Sequence, residues 1–223
     1  MSLECIELPV VESPGKANAS IIVLHGLGAD GHDFVPVAQQ LHLASVATVR
    51  FIFPHAPLRP VTLNGGMVMR AWYDISGADP ARREDETGLR QSQLEIDALI
   101  DHEVERGVKA SRIVLMGFSQ GCAVALLTGL RHGRRLAGLV GLSGYLPLAE
   151  RTAAERSAAN ASVPIFMAHG RADPMIPIAR ALDSRDALRA LGYTVQWHEY
   201  PMQHSVCAQE IADLNHWLVH VLA

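Results

Sequence analysis

The sequence predicts an α/β fold: a mostly parallel, doubly wound sheet with helices on both faces. Three observations carry the prediction. Short apolar runs rich in β-branched residues alternate with longer helix-like segments, the pattern of repeated βαβ units. Several of those runs are apolar throughout, as expected of strands covered on both faces. Hydrophobic residues make up 49% of the 223 residues, enough for one domain spanning 1–223 with a substantial core.

The elements follow in order. Cys5–Val10 reads as an edge strand, and Ile21–Leu24 as the first buried parallel strand. A helix pattern at Asp33–His42 separates it from a strand at Ala47–Phe53. The polar run Asp79–Glu86 reads as a solvated loop leading into a long helix at Thr87–Glu105. A strand at Arg112–Met116 runs into a buried helix at Gln120–Arg131. Strands at Leu136–Leu142, Val163–Ala168 and Thr194–Glu199 follow, with helices at Pro177–Leu191 and Cys207–Val221. No repeat, low-complexity tract or linker interrupts the series.

The junction after Met116 is Gly117-Phe118-Ser119-Gln120-Gly121. A strand turning into a helix through Gly-x-Ser-x-Gly is a nucleophile elbow, in which the serine hydroxyl is lifted above the sheet. Small residues flank the serine because strand and helix approach too closely there for side chains. Free N–H groups at the helix start face the same point and suit a developing negative charge.

A serine needs a base to take its proton and an acid to orient the base. Both are expected after the serine, at the carboxyl ends of later strands. Asp173 follows the Val163–Ala168 strand, and His204 follows Thr194–Glu199. Asp173 also suits an ordinary turn before Pro174, and His204 is one of 11 histidines. Asp183, Asp186, Glu199, His198, His216 and His220 fall inside predicted helices or strands, so position favours Asp173 and His204. The loop His25-Gly26-Leu27-Gly28 follows the first buried strand. Its glycines permit close backbone approach, which assigns the oxyanion hole to the N–H groups of Leu27 and Gln120. A phosphate-binding loop is disfavoured, since neither the dinucleotide spacing nor a Gly-Lys-Ser/Thr ending is present.

These segments, with Phe53-Pro54-His55-Ala56-Pro57, Trp72-Tyr73-Asp74, His169-Gly170-x-x-Asp173 and His204-Ser205, resemble the bacterial carboxylesterase, phospholipase and acyl-protein thioesterase family of α/β-hydrolases. The resemblance covers nearly the whole chain. It implies a cytosolic serine enzyme that hydrolyses carboxylic esters or thioesters without metal or cofactor, with Ser119, Asp173 and His204 as its triad. Two positions depart from the family's usual glycines: Cys122 after the elbow and Gln203 before the histidine.

Leu58–Ser76 is too long for a simple connection and too apolar for disorder. It is read as one wall of an acyl pocket through Leu63, Met67 and Trp72, with Met175 and Ile176 forming another. A small hairpin packed on the domain, or the contact of a homodimer, is the alternative use of that segment. The chain leaves no room for a large helical cap, so an open groove for short to medium acyl chains is expected.

A net charge of −4 argues against a nucleic-acid or anionic-membrane surface. No apolar stretch is long enough to span a bilayer, and the start lacks a secretory pattern, so stable membrane insertion is not expected and a cytoplasmic location is. Cys5, Cys122 and Cys207 lie far apart without metal spacing, and Cys122 is read as a buried small apolar residue. A peptidase or acyltransferase using the same triad, and a non-catalytic binding member of the fold, remain as rival readings.

Overall fold

The structure is a computed structural model that describes residues 3–8, 16–77 and 84–223. Its centre is a seven-stranded sheet formed by β1 (Cys5–Leu8), β2 (Ala19–Leu24), β3 (Val49–Pro54), β6 (Ile113–Phe118), β7 (Gly138–Leu142), β8 (Ile165–Gly170) and β9 (Val195–Tyr200). The spatial order is β1-β3-β2-β6-β7-β8-β9. Only β1 runs antiparallel, against β3, and the remaining pairs are parallel. This is the expected α/β architecture, with helices on both faces. Residues 9 and 10 of the predicted first strand lie outside the described residues, as does most of the polar run 79–86.

Alternation along the buried strands divides the core into two layers. Ile22 and Leu24 join the layer beneath α2 (Glu86–Glu105) and α3 (Gln120–Arg131). Ile21 and Val23 join the layer that holds Phe34 and residues Leu214, Trp217 and Leu218 of α6 (Ala208–Leu222). Strands covered on both sides need apolar residues at every position, which explains the unbroken Ile-Ile-Val-Leu run. Each such side chain stabilises the fold by about 1.5–3 kcal/mol when fully enclosed.

The helices differ from the sequence expectation in instructive places. α3 spans the predicted residues. The Asp33–His42 segment forms only one helical turn, α1 (Val35–Ala38), which lacks a side-chain cap. Beyond it the chain bends through i→i+3 bonds at Gln40 and Leu41, and the His42 N–H is taken by Asn215 Oδ1 at 2.6 Å. A tertiary bond thus replaces the helix's next turns. A short helix, α4 (Ala149–Glu155), was not expected; its N-cap is Leu148 in a left-handed conformation, so no capping residue announces it. Helix α5 (Ile178–Ala190) precedes β9.

The long apolar connection contains an antiparallel hairpin, β4 (Leu58–Val61) and β5 (Met67–Arg70), turned by Gly65 and Gly66 at positive φ. Asp74 ties down the turn after its first strand by accepting from the Thr62 N–H and hydroxyl at 2.7 and 2.6 Å. The Gly28 N–H donates to the Arg70 carbonyl at 2.9 Å, joining the hairpin to the loop after β2. Among the described residues no helix is long and apolar enough to cross a membrane.

In chain order, β2 is followed on one side by β3 and on the other by β6. The order therefore reverses between β2 and β6, and a crevice forms outside their carboxyl ends. The loop after β2 and the turn after β6 face each other across it.

Candidate active site

Ser119 sits at the turn between β6 and α3 with φ 55° and ψ −118°, a conformation rarely adopted by a residue with a side chain. The strain is held from several sides. The Ser119 N–H donates to the Leu142 carbonyl at 2.9 Å, fastening the turn to β7. A Cβ at Gly117 would fall 2.1 Å from the Gly121 carbonyl oxygen, and one at Gly121 would fall 2.2 Å from that of Leu24. Both glycines are therefore demanded by close backbone approach.

The structure brings Ser119, His204 and Asp173 together across three loops. His204 Nε2 lies 2.9 Å from Ser119 Oγ, and Nδ1 lies 2.6 Å from Asp173 Oδ2. An ionised carboxylate only accepts, so Nδ1 carries the proton and Nε2 presents its lone pair to the serine hydroxyl. The Met175 and Ile176 N–H groups donate to the other Asp173 oxygen at 2.8 and 2.9 Å. The histidine ring rests on Phe118, with centroids 4.8 Å apart. The loop that carries it packs on Gly170, where a Cβ would fall 2.3 Å from the Gln203 carbonyl oxygen. Gln203, one of the two departures from the usual glycines, is thus accommodated through a backbone contact.

The opposite wall is the loop after β2. A Cβ at Gly26 would stand 3.4 Å from Ser119 Cβ, so this loop lies directly against the serine. Among the described residues, no acceptor engages the N–H of Leu27 or Gln120. His25 Nδ1 donates to the Gly26 carbonyl at 2.7 Å, while Nε2 accepts from the Ala56 N–H at 3.0 Å. Those two partners fix a neutral tautomer, and burial holds this histidine's pKa below its ordinary value. In a trans peptide the N–H points away from the C=O, so holding the Gly26 carbonyl orients the Leu27 N–H outward. The Gln120 side chain is buried as well: its oxygen accepts from the Trp72 N–H and its nitrogen donates to the Tyr73 carbonyl, both at 2.7 Å. The sequence reading gave neither side chain this duty, because their partners lie remote along the chain.

The acyl-wall residues divide. Met67 and Leu63 are exposed on the hairpin, and Met175 is 70% exposed on the acid loop. Ile176 is partly buried against the core. Trp72 departs from its expected place: its side chain is fully enclosed, and the indole N–H donates to the His25 carbonyl at 2.9 Å. A large ring with one donor is best buried where that donor finds a carbonyl, and here it supports the loop after β2 from beneath. Cys122 is fully buried, with its thiol pushed up to about 12 by desolvation. Gly141 and Gly144 make room for its sulfur, since a Cβ on either would approach it to 2.9 or 2.6 Å.

The chain matches the Phospholipase/Carboxylesterase family over residues 6–222. It is 42% identical to acyl-protein thioesterase 1 of Yarrowia lipolytica over 217 residues, covering 94% of this chain and 96% of that protein. It is 39% identical to acyl-protein thioesterase 1 of Neurospora crassa over 222 residues, covering 96% and 91%. Acyl-protein thioesterase 2 of Zea mays superposes with a TM-score of 0.86 at 28% identity, covering 99% of each chain. These relatives are fungal and plant proteins, so the bacterial origin expected of the family is not supported. The chain belongs to the phospholipase/carboxylesterase family and has its α/β-hydrolase fold.

Proposed function

We propose that this family member is a single-domain serine hydrolase that transfers an acyl group from a carboxylic ester or thioester to water in two steps. Ser119 Oγ attacks the carbonyl carbon while His204 Nε2 takes its proton, and Asp173 steadies the imidazolium that results. The N–H groups of Leu27 and Gln120 receive the charge that develops on the carbonyl oxygen, each contributing on the order of 3 kcal/mol to the transition state. His204 then protonates the departing alcohol or thiol. In the second step it takes a proton from water, which attacks the acyl-serine, and returns that proton to Ser119 Oγ as the Oγ–acyl bond breaks and the acid leaves.

The observation that carries this reading is the unbroken relay from Ser119 Oγ to His204 at 2.9 Å and from His204 to Asp173 at 2.6 Å. A fluorophosphonate probe tests it: the native protein should label at Ser119, and Ser119→Ala should neither label nor turn over ester. Turnover by that variant near the native rate would refute the assignment.

The acyl donor is inferred to carry a short to medium chain, with Leu63, Met67, Met175 and Ile176 beside it. Thioesters of acylated proteins are the second candidate substrate, favoured by the names of the relatives that match nearly the whole chain. A macromolecular donor also suits a site with no large cap. Comparing oxygen esters, acyl-CoA-like thioesters and lysophospholipids distinguishes the leaving groups. A cytoplasmic location accords with this use.

A further inference from the structure

His169 lies outside the relay, yet it touches the acid's loop at two points. It occupies the penultimate position of β8, fully buried. Its Nε2–H donates to the Ile176 carbonyl at 2.9 Å and lies 3.3 Å from Asp173 Oδ2. Ile176 is thereby held at both ends, because its own N–H donates to Asp173 Oδ1 at 2.9 Å. A carboxylate has about four lone-pair sites. Those of Asp173 face the Met175 and Ile176 N–H groups, His204 Nδ1 and the His169 ring nitrogen.

From this geometry we infer that His169 is a positioning residue for Asp173, locking the 173–176 loop and fixing the direction from which Oδ2 meets His204. The inference rests on the triad reading given above. The second ring nitrogen supports it. Nδ1 is buried without a hydrogen-bond partner among the described residues, a cost that leucine in the same space would avoid. The charged and titratable groups that act on His169 are Asp173, His204 and Glu199. Burial nevertheless keeps its pKa below the ordinary value, so it remains a neutral single donor at neutral pH. The exposed Met175 side chain rides on the clamped loop, which gives that wall of the site a rigid backbone.

Three variants test the assignment. In His169→Gln the amide nitrogen reaches the place of Nε2; in His169→Asn it reaches only that of Nδ1; His169→Leu removes the donor. Each is checked for a cooperative thermal transition, then assayed for kcat, KM and the pH profile of kcat/KM with 4-nitrophenyl butyrate. Losing one donor near a charged group predicts a roughly tenfold fall in kcat for the Asn and Leu variants, with KM unchanged. Their acid limb should move up by about half a pH unit, since less of the Asp173 charge is shared away from His204. The Gln variant should stay within about threefold of native, with the limb unmoved. If His169→Leu does not fold, the Gln and Asn pair carries the comparison alone. A folded Asn variant with native kcat, a limb that stays or moves down, or a Gln variant as impaired as Asn overturns the inference. Ser119→Ala, run alongside, separates the two claims: its retained turnover would sink the triad reading, whereas its inactivity beside fully active His169 variants would sink only this one.

Discussion

Replacing Gly117 with alanine should disable the enzyme far more than one methyl group suggests. The new Cβ would lie 2.1 Å from the Gly121 carbonyl oxygen, 2.3 Å from its carbon and 2.6 Å from the Cys122 nitrogen. Ordinary contact begins near 3.4 Å, so the gap must open by 3.4 − 2.1 = 1.3 Å. The strand has little freedom to yield, because Gly117 is paired with Leu24 on one side and Gly141 on the other. The first turn of α3 must move instead, taking with it the Gln120 N–H and the hydroxyl that stands 2.9 Å from His204. A misplacement of about 1 Å costs roughly 100-fold in rate. The overpacking itself costs about 1–3 kcal/mol of stability. Gly133→Ala is the control, since among the described residues nothing lies within 4 Å of where its Cβ would stand. The assay is kcat with 4-nitrophenyl butyrate alongside the thermal midpoint. A Gly117→Ala protein with native kcat would refute the close-packed elbow, as would a Gly133→Ala protein equally impaired.

Other outcomes follow from the same structure. Glu210 is fully buried, and desolvation raises its pKa from 4.5 to about 8 against a smaller lowering by the Cys207 N–H. Because the folded value exceeds the unfolded one, stability is lost as pH rises from about 4.5 towards 8. The penalty at pH 7 is on the order of 3 kcal/mol. Glu210→Gln should therefore raise the thermal midpoint at pH 8 and leave it nearly unchanged at pH 4; equal midpoints at pH 8 would contradict this. His25 and His169 have depressed values, so they reduce stability as pH falls below their unfolded value near 6.5. In the Glu210→Gln protein, where the opposing carboxyl contribution is removed, thermal melts from pH 7 to pH 5 should show that decline, and a flat midpoint would count against it. Cys122, at about 12, should resist iodoacetamide at pH 8 in the folded protein, with labelling confined to other thiols. Peptide mapping that finds Cys122 alkylated would overturn that expectation. Butyrate esters of nitrophenol should give higher kcat/KM than palmitate esters, and the reverse order would remove the short-chain reading.

Some of this was legible in the sequence because the deciding interactions are local. The elbow's glycines, the apolar runs on either side and the α3 boundaries are set by neighbours in the chain. Alternating elements supplied the parallel sheet, and the sheet supplied the loops that carry Asp173 and His204. Legibility ended where partners are remote. The helix expected at 33–42 was cut short where the His42 N–H donates to Asn215 Oδ1, and α4 began without a capping residue. Trp72 reads as part of an acyl-pocket wall in a long loop until the His25 carbonyl is seen to accept its N–H. The clamps made by His25, Gln120 and His169 each join residues whose proximity exists only after folding. Nothing in local patterning marks them apart from other buried polar side chains.

Acylation at a single side chain is the most direct test of the account. Native protein mixed with a nitrophenyl ester and quenched within the first turnover should, by intact-mass and peptide analysis, carry one acyl group on Ser119. That adduct should be absent from Ser119→Ala and should accumulate too slowly to detect in His204→Ala. An acyl group on another residue, or turnover without any covalent intermediate, would contradict the proposed chemistry.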